Sequence, residues 1–329
     1  MLDLDSVSDR ACALHERAVS LRAEGEVAAA RRACRQAVAL FEKASGRSHP
    51  DVANALLELA GAERDLGRLG DAARSAARAA KILAPFARSM RGNIDIARLR
   101  VQALVRQSEI LVARGAYGAA EAPCKQAIRI AENEIKADED IAFALNALGI
   151  VYKYTSRFDE AEPIYRRALA LTIRSRGRSD PEVASILHNL GGLEHSRGRY
   201  ARAEPYARRS VAIRERALGP DHPSVAADTA ALAAILDGRG KREEAEALLR
   251  RAIDVFARTL GKQHFEVGFN LGQLAAVCHG SGRLTEASRL YKRALRIQRR
   301  ALGPRHPVLA ATMANFAQLR EARAKRRPR

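Results

Sequence analysis

The chain has no tryptophan, few aromatics (5%) and only four cysteines in 329 residues. It also lacks any apolar run near the ~20 residues that a membrane-spanning helix needs. Its first residues, MLDLDSVSDR, have neither the basic start nor the apolar stretch of a secretory signal, so the expected address is the cytoplasm. Cys12, Cys34, Cys124 and Cys278 lie far apart, with no CxxC or Cys/His ligand spacing, so neither a zinc site nor a disulfide framework is expected. Glycine-rich phosphate loops, HExxH and GxSxG are missing as well, and no cofactor or metal site is expected.

Alanine and charge are plentiful. Alanine fills 66 positions, about one in five, which favours helices and close helix crossings. Lys and Arg number 57 against 38 Asp and Glu, a net charge of +19, and 48 of the cations are Arg. That excess fits either a GC-rich coding sequence or a basic surface that attracts acidic partners.

A repeat organises the chain. Dipeptides at Asp180-Pro181, His222-Pro223, His264-Phe265 and His306-Pro307 recur every 42 residues, with an earlier copy at His49-Pro50. A second series, Gly25, Gly67, Gly115, Ser156, Gly198, Gly240 and Gly282, keeps nearly the same period. Five residues after each of these stands an alanine: Ala30, Ala72, Ala120, Ala161, Ala203, Ala245 and Ala287. Seven residues before each Gly mark the residue is small, from Ala18 to Ala275; seven after each alanine it is small again, from Ala37 to Ala294. Small residues at fixed spacing let two helix backbones approach.

Each unit therefore reads as two antiparallel helices. Helix A begins at the Pro-bearing pair, where proline lacks only an N–H that would be unpaired anyway, and ends at the Gly mark, which can adopt the left-handed conformation. Helix B follows, to a second Gly such as Gly219. Six residues are inserted between units 2 and 3, and helix A of unit 3 is expected to be one turn longer. The repeats run over about 6–48, 49–92, 93–137, 138–179, 180–221, 222–263 and 264–305, followed by a capping helix at 306–323 and a basic flexible tail at 324–329. Residues 1–323 are expected to form one array. The recurring His49, His222, His264 and His306 read as structural, and Cys34 and Cys124 as core.

These columns resemble the tetratricopeptide repeat, in the 42-residue variety of kinesin light chains. The residues that carry the likeness are AEPIYRRALAL (161–171), EAEALLRRAIDV (244–255) and EASRLYKRALRI (286–297), with LGPDHPSVA (218–226) between units. The resemblance implies an all-α, right-handed solenoid of seven helix pairs plus a capping helix, with helix A on the concave side. It implies a non-enzymatic scaffold or adaptor that binds a peptide or helix of a partner in the groove. By the family's pattern Arg64, Arg106, Asn146, Lys153, His188, Asn189 and His195 would line that groove, and Asn54, Leu57, Gly61, Ala230 and Gly272 would share its floor. Asn can pair with both groups of an extended backbone, and Arg and Lys can take carboxylates, so an acidic partner is expected.

A second candidate is a basic ladder on helix B: Arg166-Arg167, Arg208-Arg209, Arg250-Arg251 and Lys292-Arg293. Glu162, Glu204 and Glu246 each precede an Arg by four residues, the orientation that favours a helix ion pair. The cations left over, such as Arg174, Arg176, Arg214, Arg216, Arg299 and Arg300 with the tail at Lys325–Arg327, make phosphate-backbone binding of nucleic acid the alternative function.

Overall fold

The computed structural model describes residues 4–90, 92–302 and 307–325. They fall into two compact units, Met1–Ser179 and Asp180–Arg329, divided at the boundary between the fourth and fifth repeats. Every regular element among the described residues is helical.

The first unit holds four helix pairs. These are α1 (Leu4–Ala23) with α2 (Val27–Ser45), and α3 (Pro50–Asp65) with α4 (Leu69–Leu83). After a short α5 (Phe86–Ser89) come α6 (Ile94–Ala113) with α7 (Tyr117–Ile130), then α8 (Asp138–Tyr154) with α9 (Phe158–Arg176). A π-helical turn, Ala131–Ile135, prolongs α7. The second unit holds α10 (Pro181–Ser196) with α11 (Tyr200–Leu218), α12 (Pro223–Gly238) with α13 (Arg242–Thr259), α14 (Phe265–Gly280) with α15 (Leu284–Ala301), and the single α16 (Pro307–Lys325). Seven pairs and a C-terminal helix match the expected architecture. Residues 303–306, with His306, and 326–329, most of the expected tail, lie outside the described residues.

The repeat dipeptides start helix A by capping it. Asp180 accepts a hydrogen bond from the Glu182 amide at 2.8 Å. The Nδ1 atoms of His49, His222 and His264 accept from Asp51, Ser224 and Glu266 at 3.3, 3.1 and 3.2 Å. Each such bond satisfies an amide that the first helical turn leaves orphaned. In the third repeat Asn93 does the same for Ile96 at 3.0 Å. Capping there, upstream of the usual start, gives α6 20 residues against 16 in α3, the predicted extra turn.

At the other end of helix A the Gly mark closes a two-bond reversal. In the second repeat the Gly67 amide bonds to the Arg64 carbonyl, and the Arg68 amide to the Glu63 carbonyl, both at 2.8 Å. This is the 5→2 and 6→1 pattern of a left-handed C-terminal cap, and the Gly67 φ of +72° supplies it. Ser156 fills the same position at φ +59°, where a side chain is strained.

Packing confirms the columns. All seven marked alanines from Ala30 to Ala287 are fully buried, as is the later small column from Ala37 to Ala294. Large side chains close the space between them: Phe41, Leu56 and Leu83 in the first unit, Leu236, Leu249, Phe256 and Tyr291 in the second. Cys34 and Cys124 are buried as expected, and burial pushes their thiols up to about 12 and about 11, which leaves them unreactive. No described helix is long and apolar enough to cross a membrane.

Candidate binding face

In the first unit the helix A face carries a row of charge. Arg22, Arg64 and Arg106 stand 42 residues apart on α1, α3 and α6. Arg22 donates to Asp65 at 2.7 Å and to Glu58 at 2.9 Å. Arg64 donates to Asp65 at 2.8 and 3.0 Å and also to Glu109. Arg106 donates to the same Glu109 at 2.6 Å. The guanidiniums crowd over Gly61, where an added Cβ would lie 2.9 Å from Arg22 Cζ and 3.1 Å from Arg106 Cζ. Burial opposes the charge on Asp65, but Arg64 and Arg22 hold its pKa below the ordinary carboxylate value. Three cations meet three acids, so Arg64 and Arg106 are engaged internally. Arg22 and Glu58 belong to this row and were not singled out from sequence. Gly61 and Leu57, expected on the groove floor, are buried beneath it.

Further along, Asn146 is half-buried on α8, and Lys153 lies near the end of the same helix. No carboxylate among the described residues pairs with Lys153, and burial pushes its pKa down. Its Nζ sits 5.0 Å from the centre of the Tyr154 ring, which stacks on Tyr117 at 5.3 Å and 6°. This is a half-buried cation over an aromatic platform, with no acid of its own.

In the second unit the corresponding face is built on a buried acid. His188 Nδ1 on α10 lies 2.8 Å from Asp228 on α12, whose carboxylate is 4% exposed. Arg214 Nε donates to Asp228 at 2.7 Å, and the Ser210 hydroxyl lies 2.6 Å away. Burial would raise the Asp228 pKa, but the bonds to His188 and Ser210 and the charge on Arg214 bring it below the usual value. Against a carboxylate Nδ1 must donate, so this contact fixes the ring tautomer and leaves Nε2 as an acceptor in the neutral ring. Asn189 is half-buried beside it, and His195 packs edge-on against Tyr200 at 5.3 Å. Toward the end of this unit Asp237, Ala276 and His279 line a pocket of about 350 Å³ with Asn315 and Gln318 of α16. Ala230 and Gly272, expected on the floor, are buried.

Asp228 was missed from sequence because it interrupts an alanine-rich helix where the repeat 42 residues earlier has Ile186. The signal was available one period on, at Asn270, a second polar residue in a column that should be apolar; it too is buried.

The tetratricopeptide-repeat family matches residues 9–84, 99–174, 182–258 and 266–327. The chain belongs to that family. No curated protein matches. Among solved structures the repeats are similar to BtubC (BKLC) from P. vanneervenii, at 22% identity over 64% of this chain and 85% of that one, with a TM-score of 0.53. They are also similar to apo RapI, at 17% identity over 88% and 97% of the two chains, with a TM-score of 0.61. A Podosopora anserina protein assigned as a kinesin light chain aligns at 24% identity over 56% and 87%, but its TM-score of 0.47 is too low to argue from. At these identities the likeness concerns the fold.

On the helix B side of the tetratricopeptide units most of the basic ladder is compensated. The three expected pairs form: Arg166–Glu162 at 2.8 Å, Arg208–Glu204 at 2.9 Å and Arg250–Glu246 at 2.7 Å. Others join neighbouring repeats: Arg167–Glu132 at 2.6 Å, Arg208–Glu244 at 2.7 Å, Arg250–Glu286 at 2.8 Å, Arg176–Glu139 at 3.0 Å, and Arg174 with Asp138. Arg214, expected to be left over, is the partner of Asp228. The last helix B differs: Arg289, Lys292, Arg293, Arg296, Arg299 and Arg300 of α15 are all exposed, and none pairs with a described carboxylate. The cluster among the described residues with metal-ligand spacing, Glu246, Cys278 and Glu286, has both carboxylates bonded to Arg250.

Proposed function

We propose that this protein is a non-enzymatic interaction scaffold of the cytoplasm, which binds an acidic peptide or helix of a partner protein along its helix A face. Tetratricopeptide repeats generally mediate protein–protein interactions, and the fold is usually non-catalytic. The observation that carries the reading is Lys153. A cation held partly out of water with no acid of its own is costly, and a ligand carboxylate beside the Lys153 ammonium would offset that cost. On the second unit His188, oriented by Asp228, offers a fixed hydrogen-bonding group of its own on helix A. Arg64 and Arg106 contribute shape and rigidity rather than free charge.

The test is capture from nuclease-treated lysate with wild type, Lys153→Met and the triple variant Asn146→Ala, His188→Ala, Asn189→Ala, each first shown by circular dichroism to be folded. A protein recovered by wild type and lost by both variants supports the reading. Equal recovery by all three, with every bound species leaving at modest salt, overturns it in favour of charge-driven nucleic-acid binding.

A further inference from the structure

Among the described residues the second unit ends on a lone helix A, α16. In α12 and α14 one seam faces the following helix B: Ala226, Thr229 and Ala233, then Gly268, Leu271 and Ala275. All six are buried. The contact partner is explicit at Gly268, where an added Cβ would lie 2.8 Å from Ile297 on α15. The same columns in α16 are Ala310, Met313 and Ala317, and all three are exposed, Met313 by 46%. The described residues contain no helix B to cover them.

Charge is concentrated beside this seam. Residues 284–329 hold thirteen Lys and Arg against two acids, +11 of the chain's net +19. An excess set by coding composition would spread along the chain. At about 100° per residue the six cations of α15 fall within an arc of about 120°, opposite its buried face. Earlier repeats show what such cations meet. Arg208 and Arg250 bond to Glu244 and Glu286, the acids that open the next helix B directly before a buried alanine. Lys292 stands at the position of Arg250, and no described carboxylate pairs with it.

We propose that Ala310, Met313 and Ala317 of α16, with Lys292, Arg296 and Arg299 of α15, form a docking seat for an acidic amphipathic helix of a partner protein. The occupant lies where an eighth helix B would lie. It carries an acid next to a small residue and sets that small residue against the seam, as Glu286-Ala287 does on the preceding repeat. Small residues admit a close helix, and the flexible methionine adapts to its ridge. A second copy of the chain is disfavoured, because it would bring the same cations against these ones. A nucleic acid would satisfy the cations and leave the apolar seam bare.

The probe is a synthetic 18-residue peptide with the sequence of residues 242–259 and the changes R250E, R251E and R258E. This keeps the helix B spacing and gives the peptide a net charge of −6. Binding to the full chain is followed by fluorescence anisotropy, against a scrambled peptide of equal composition. The seat predicts saturable binding that weakens at least tenfold for the scrambled peptide. It weakens likewise for the Met313→Asp protein and for the Lys292→Glu, Arg296→Glu, Arg299→Glu protein. The altered side chains lie on α15 and α16, so their loss of binding separates this seat from Lys153 on α8. The altered side chains are exposed, and circular dichroism checks that the variants fold. Equal binding of native-order and scrambled peptides, or duplex DNA binding that ignores Met313→Asp while displacing the peptide, would make the region a polyelectrolyte site and overturn the proposal. Sedimentation showing a wild-type dimer that Met313→Asp dissolves would overturn it too, with the seam then covered by a second copy.

Discussion

The two units solve the same electrostatic problem differently. In the first, Arg22, Arg64 and Arg106 share Glu58, Asp65 and Glu109 at partly exposed positions, and Arg22, Arg64, Asp65 and Glu109 each have two partners. In the second, one carboxylate is 4% exposed and serves His188, Arg214 and Ser210 together. Solvent screens the first arrangement, so its single contacts contribute little. The second is sheltered, and removing its centre leaves the half-buried Arg214 guanidinium without its carboxylate. The repeat scaffold thus sets positions and leaves open how they are held.

Cutting each network at its acid gives the largest contrast. Asp228→Ala should cost about 3–5 kcal/mol, the loss typical of breaking a buried pair, and Asp65→Ala about 1 kcal/mol or less. Urea denaturation of the full chain followed by circular dichroism measures both; equal losses would dissolve the distinction. The pH dependence has a definite sign. The Asp228 pKa is lowered in the folded state, so its contribution is complete above the unfolded value of about 3.9 and is lost as pH falls through the folded one.

A second contrast uses one column in both units. Gly149 and Gly191 occupy the same repeat position. A Cβ at Gly149 would lie 2.6 Å from the ring of Tyr165, which is fully buried and has nowhere to move. A Cβ at Gly191 would meet Ala203 and Ala207 at an ordinary 3.5 Å. Gly149→Ala should therefore cost about 1–3 kcal/mol through overpacking. Gly191→Ala should be neutral or stabilise by about 0.5–1 kcal/mol, since glycine weakens a helix interior. Thermal melting of the two variants checks the opposite signs.

The fold was legible because its determinants are local and repeated. A cap such as Asp180, a reversal such as Gly198 and a buried alanine such as Ala203 each act within a few residues, and the 42-residue period presents them seven times. The binding face was harder to read for the opposite reason. Whether Arg64 is free or engaged depends on Glu109, 45 residues away, and Asp228 gains meaning only from Arg214 and His188 on two other helices. Periodicity names the positions on the face, but partners are set residue by residue, where the repeats diverge. The charge of α15 was visible as a count; its lack of partners needed the structure.

Turn positions offer a smaller comparison. Ser156 in the first unit and Gly198 in the second close the same reversal at φ +59° and +71°. A side chain in this conformation costs roughly 1–2 kcal/mol. Ser156→Gly should recover about 1 kcal/mol and Gly198→Ser should lose a similar amount, read as opposite shifts in melting temperature.

The smallest expected effect concerns the caps of helix A in the second unit. Asp180 caps α10 with a carboxylate, whereas α14 begins at His264, whose Nδ1 accepts the Glu266 amide only when that nitrogen is unprotonated. Burial lowers the His264 pKa below its ordinary value, so the folded state binds this proton less readily than the unfolded chain. The cap's contribution is then present above the unfolded value of about 6.5 and is lost as pH falls below it. His264→Asn keeps an acceptor at every pH, as Asn93 does for α6. Wild type should lose about 0.5–1 kcal/mol relative to His264→Asn between about pH 7 and pH 5, the usual scale of an N-cap. Urea titrations at the two pH values measure that difference; a gap that stays constant with pH would mean that the ring caps through van der Waals contact alone.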